Sequence, residues 1–63
     1  MTSSGSPLIR LMVVEDHPIV REGLTLILGT QADMEVVADC GNGGSAVELH
    51  RQHRPDVTLM DLR

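Results

Sequence analysis

No phenylalanine, tyrosine or tryptophan occurs among the 63 residues, and none of the five cations is a lysine. An aromatic ring would bury about 150–250 Å², so without one any core must come from Val, Leu, Ile and Met. Cys40 is the single cysteine, which excludes an internal disulfide framework and agrees with a reducing compartment. Its expected role is that of a small buried or half-buried thiol. No apolar run approaches the ~20 residues of a membrane span, and the first residues lack the basic start and apolar stretch of a signal peptide. The chain is therefore expected to be soluble and cytoplasmic. A basic surplus is lacking too. Nine acids against five arginines give a formal charge of −4, which argues against a nucleic-acid or anionic-membrane surface and suits a cation site.

Hydrophobic residues make up 41% of the chain and charged ones 22%, the balance of a packed domain rather than a disordered one. A chain this short is at most one small domain, burying only about 60% of its unfolded surface, so its core is marginal. Residues 1–7 (MTSSGSP) are small, polar and turn-forming and are expected to be a disordered tail. Leu8 to Val14 (LIRLMVV) is short, apolar and branched, as in a strand buried on both faces of a parallel sheet. It stops at Glu15-Asp16-His17-Pro18. There a proline suits the first turn of a helix, and an acid before it can cap backbone N–H groups.

Val20, Leu24, Ile27 and Leu28 recur at helical spacing, Arg21, Glu22 and Thr25 lie off that stripe, and Gly29 suits a left-handed C-terminal cap. Met34 to Ala38 (MEVVA) reads as a second strand, and Gly41-Asn42-Gly43-Gly44 then breaks the chain. From Ser45 onward Ala46, Leu49, His50 and His53 fall at i, i+3, i+4 and i+7, one face of a second helix. Arg51 and Arg54 oppose the dipole at its C-terminal end, and Pro55 closes it. Asp56 to Met60 (DVTLM) reads as a third strand, with Asp61 at its carboxyl end.

Strand, helix, strand, helix and strand joined by short links imply an α/β fold with right-handed crossovers and a parallel sheet covered on both faces. Such sheets bind ligands outside the carboxyl ends of their strands, where strand order reverses. Glu15, Asp16 and Asp61 all belong to that rim. Carboxylates about 5 Å apart repel by roughly 3 kcal/mol per pair at an effective dielectric near 20, a conflict that a hard divalent cation resolves. Magnesium takes one or two carboxylates plus phosphate oxygens. Asp16 and Asp61 suit the direct contacts and Glu15 a contact through water, with Asp61 attacking a phosphoryl group as nucleophile.

Val13-Val14-Glu15-Asp16-His17-Pro18 with Arg21-Glu22-Gly23-Leu24, and Arg54-Pro55-Asp56-Val57 leading to Met60-Asp61-Leu62-Arg63, resemble the receiver domain of bacterial two-component response regulators. The wording is closest to regulators that carry a C-terminal LuxR-type helix-turn-helix. The resemblance covers residues 8–63, a partial receiver domain. It implies a flavodoxin-like fold truncated to three strands and two helices, with strand order 2-1-3. It also implies Asp61 as the phosphoacceptor, Glu15 and Asp16 as the acidic pair of a Mg²⁺ site, and the backbone carbonyl of Arg63 as a further metal ligand. The implied partners are a sensor histidine kinase and, only through an output domain outside this sequence, DNA. Transcription regulation is the implied role, and the chain would be a phosphoacceptor rather than an enzyme. A complete receiver has five strands, with a hydroxyl residue, a lysine and a switch aromatic in the later elements, none of which this sequence holds.

Rival readings exist for the same residues. Gly41-x-Gly43-x-x-Ala46, followed 20 residues later by Asp61, matches a dinucleotide-binding fingerprint but leaves Glu15-Asp16 unexplained. Alternatively the fragment is an interaction module that keeps the receiver pattern without phosphotransfer. The acid pair also suits a helix cap, His17 reads as a loop residue beside Pro18, and His50 and His53 read as a helix face rather than zinc ligands. The third strand would be an inner strand of a complete receiver, so self-association through its exposed edge is expected.

Overall fold

The computed structural model describes residues 8–61. Five elements follow one another: strand β1 (Ile9–Glu15), helix α1 (Pro18–Gly29), strand β2 (Met34–Cys40), helix α2 (Gly43–His53) and strand β3 (Val57–Asp61). The three strands form one parallel sheet in the order β2-β1-β3, the truncated flavodoxin-like arrangement expected. Going from β1 to β2 moves one way along the sheet and from β2 to β3 the other. Right-handed crossovers then place α1 and α2 on opposite faces, and the order reverses between β1 and β3.

As the central strand, β1 is covered on both sides, and Leu11 to Glu15 are all buried. This explains its unbroken apolar run. Alternation sends Met12 and Val14 to the α2 face, where they pack with Cys40 and Ala46 and draw in Ala38 and Leu49. The ladder between β1 and β2 slips once, with Leu11 opposite Val36 but Met12 opposite Ala38. The extra residue, Val37, bends β2 locally. At the opposite end from the carboxyl rim, Arg10 closes the sheet against the β3 entry. Its N–H donates to Asp56 Oδ2 at 2.9 Å, its carbonyl accepts from the Asp56 N–H at 2.8 Å, and its Nη1 donates to the Arg54 carbonyl at 3.1 Å.

Four local expectations need correction. The first strand includes Glu15, so this acid is part of the ladder and fully buried rather than following it. The second strand runs two residues further than Ala38, to Cys40. Gly43 and Gly44 are already helical, because the Asn42 side chain accepts the Ser45 N–H at 2.8 Å and caps α2 before them. Gly29 is the last residue of α1, not a left-handed cap. The N–H groups of Thr30 and Gln31 instead bond the carbonyls of Ile27 and Leu28 at 3.2 Å each, and the Thr30 hydroxyl donates to the Ile27 carbonyl at 2.7 Å. Tightened last-turn bonds of this kind satisfy the terminal carbonyls without a positive φ. The left-handed cap falls on Arg54 (φ 48°, ψ 62°), whose N–H bonds the His50 carbonyl at 2.8 Å.

The inward face of α1 also differs from the expected stripe. Leu24 and Leu28 are half-buried, but Val20 and Ile27 are exposed, and Arg21 and Thr25 take the inner positions. From this inner face Arg21 reaches the end of β1. On α2, Ala46 is buried, Leu49 and His53 are half-buried, and His50 is exposed.

Candidate functional site at the carboxyl rim of the sheet

The β1 ladder delivers Glu15 to the rim with its side chain 1% exposed. Glu15 Oε2 accepts the His17 backbone N–H and also lies against ring Nδ1, each at 3.0 Å. Oε1 of the same carboxylate is buried and has no hydrogen-bond partner. A buried acceptor in that state costs about 1–3 kcal/mol, so the rim holds a place where a cation or water is favoured. Asp16 follows, partly exposed, with Oδ1 also 3.0 Å from His17 Nδ1. With Nδ1 3.0 Å from an oxygen of each carboxylate, the imidazole lies between the two acids.

The backbone explains why His17 sits there. As the N-cap residue it is extended (φ −92°, ψ 114°), Pro18 follows at the first helical position, and its own side chain caps nothing. The ring is thereby left to turn back on Glu15 and Asp16. Glu15, Asp16 and His17 form the group, among the described residues, whose possible ligand atoms all lie within 4.8 Å of one another. Asp61 is brought to the same rim by a different route. In the parallel ladder it stands opposite Glu15, and adjacent strands run about 4.8 Å apart. Its side chain is exposed and lies outside that tight group. Arg63 and residues 1–7, assigned a metal-ligating carbonyl and a disordered tail from the sequence, lie outside the described residues.

Two residues support the site in ways that the sequence did not suggest. Arg21, one turn into α1, donates from Nη1 to the Glu15 carbonyl at 3.0 Å, and its Nε lies 3.6 Å from Asp39 Oδ1 on β2. Gly41 makes room for it. A Cβ there would lie 2.5 Å from Arg21 Nη1 and 3.7 Å from the Glu15 carbonyl. The glycine that suggested a dinucleotide fingerprint thus gives its space to an arginine rather than to a pyrophosphate. A usable signal was the cation three residues after a first-turn proline, within reach of the strand end. His17 is the loop residue beside Pro18 that was expected, and its ring also lies 3.0 Å from each acid of the pair. His50 and His53 belong to no such ligand group among the described residues, and no helix there is long and apolar enough to cross a membrane.

A family model for the response regulator receiver domain matches residues 11–63. Oxygen regulatory protein NreC of Staphylococcus haemolyticus is 44% identical over 54 residues, which cover 86% of this chain and 25% of that protein. Transcriptional regulatory protein DegU of Brevibacillus brevis is 44% identical over 54 residues, covering 86% of this chain and 23% of the relative. A protein-glutamate methylesterase/protein-glutamine glutaminase of Nitrosospira multiformis is 47% identical over 55 residues, covering 87% of this chain and 16% of the relative. The chain spans a quarter or less of the length of these relatives. No solved structure gives a significant match.

Proposed function

Because the chain belongs to the response regulator receiver domain family, we propose that Asp61 is its phosphoacceptor and that a sensor histidine kinase supplies the phosphoryl group. The observation that carries this reading is the pairing of Asp61 with Glu15 across the parallel ladder, at the carboxyl ends of β1 and β3, beside the point where strand order reverses. The donor set fits a hard divalent cation. It consists of carboxylates from two strand ends, one of them carrying a buried oxygen without a protein partner.

In this reading Asp16, Asp61 and the backbone carbonyl of Arg63 hold Mg²⁺, and Glu15 acts through a bound water. When bound, magnesium offsets the negative charge gathered on the phosphoryl oxygens. The remaining work belongs to the chain itself. An oxygen of Asp61 attacks the phosphorus of a phosphohistidine. The P–O bond forms as the P–N bond breaks, and the leaving imidazole nitrogen keeps the electron pair and takes up a proton. Exposure of Asp61 leaves the in-line approach open, while Arg21 anchors the end of β1, from which Glu15 and Asp16 project. The chain is a phosphoacceptor rather than an enzyme. Its phosphorylation state would act on a DNA-binding output domain in the cytoplasm, and that domain lies outside this sequence. The outer edge of β3, with Val57, Leu59 and Met60 exposed, is proposed to pair with a second copy of the chain.

Incubation of the chain with a small phosphodonor and Mg²⁺, followed by intact mass measurement, tests the assignment. One added phosphoryl group is expected, absent from Asp61→Asn and absent without the ion. Equal labelling of Asp61→Asn would sink it.

A further inference from the structure

We propose that His17 gives the acidic pair a nitrogen ligand, so that Glu15, Asp16 and His17 together bind a first-row transition ion such as Ni²⁺ at the place where magnesium binds. This deepens the metal reading above and rests on it. Three observations carry it. His17 Nδ1 is 3.0 Å from both Glu15 Oε2 and Asp16 Oδ1. Two cis ligands each about 2.1 Å from an ion are themselves about 3.0 Å apart, so the imidazole already stands at ligand spacing from both carboxylates. Glu15 is 1% exposed, and beside the Oε2 that faces His17 its Oε1 lacks a partner, so the carboxylate keeps acceptor capacity that the chain does not use.

The local backbone holds this arrangement. Glu15 is fixed in the ladder, the His17 N–H is pinned to Glu15 Oε2 at 3.0 Å, and Pro18 restricts the residue before it to extended conformations. The three ligands come from consecutive residues, with little further chain entropy to lose on binding. The His17 side chain is 50% exposed, leaving an entry path. Ligation needs the tautomer with hydrogen on Nε2 and the Nδ1 lone pair toward the ion, and only the ring proton has to relocate. Imidazole suits nickel, copper and zinc, while carboxylate, carbonyl and water suit magnesium. His17 therefore shifts a site that carboxylates alone would give to hard ions toward borderline ones. A bound transition ion would compete with magnesium for this place.

Calorimetric titration of the chain with NiCl₂ and with MgCl₂, alone and in competition, tests this. His50→Gln and His53→Gln are introduced throughout to remove the other imidazoles. Ni²⁺ is expected to bind one site and to be displaced by excess Mg²⁺. Both His17→Ala and His17→Asn, the latter keeping a favourable N-cap side chain, should lose about tenfold or more in nickel affinity. Their magnesium affinity should change little, and far-ultraviolet circular dichroism should show the fold retained. Equal nickel affinity with and without His17 overturns the inference and leaves the magnesium reading standing. Magnesium that neither binds nor displaces nickel overturns the shared site itself.

Discussion

Arg21 donates to the backbone carbonyl of Glu15 at 3.0 Å, tying the first turn of α1 to the end of the central strand. The bond joins the inner face of α1 to the strand end that presents the acid pair. Removing it with Arg21→Ala should cost about 1.5–3 kcal/mol, the range for hydrogen bonds that involve a charged group. Urea unfolding followed by circular dichroism gives that number. Unchanged stability would mean the bond contributes nothing.

Gly41→Ala should be destabilising because its Cβ would meet the Arg21 guanidinium at 2.5 Å. The obstacle is the end of a flexible side chain, so the cost comes from displacing Arg21 from its two partners. In the Arg21→Ala background the same substitution should therefore cost less, with a coupling of about 0.5–3 kcal/mol. Simple additivity of the two changes would show that they act separately.

Magnesium should raise the melting temperature of the chain, by an amount corresponding to about 2.7 kcal/mol at a hundredfold excess over Kd. Asp16→Asn should abolish most of that gain. If both proteins melt alike with and without the ion, the rim is not a magnesium site.

Asp61→Asn removes one of the carboxylates gathered at the rim, and in the absence of any divalent ion it should stabilise the fold. The gain should stay below about 1 kcal/mol because Asp61 is exposed and solvent weakens such interactions. A melting temperature that falls would reverse the sign of the proposed repulsion.

The edge of β3 should support association of the chain with itself, and Leu59→Lys should suppress it, since a lysine on an edge strand discourages further pairing. Sedimentation velocity across a concentration series reads both. A wild-type chain that stays monomeric throughout would contradict the proposed pairing.

Much of the fold could be read along the chain because its causes are local. The apolar run through Val14 marks a strand buried on both faces, Pro18 marks a helix start, and Ala46 with Leu49 marks the inner face of α2. Where expectation and structure part, the cause lies between elements. Val20 and Ile27 keep the helical spacing of a buried stripe yet face outward, while Arg21 takes an inner position and bonds β1. Gly29 has the chemistry of a left-handed cap, but tight last-turn bonds made it unnecessary, and Arg54 adopted that conformation where Arg10 holds its carbonyl.

The candidate site divides in the same way. Composition and order alone supplied the acids, the alternation of strand and helix, and the membership in a family, since residue type and spacing are properties of the linear chain. The meeting of Asp61 with Glu15 across 46 residues depends on strand order and ladder register, which exist only once the sheet has formed. So does the turn of the His17 ring onto both carboxylates, because it requires a strand end, an extended cap and a helix start to coincide in space.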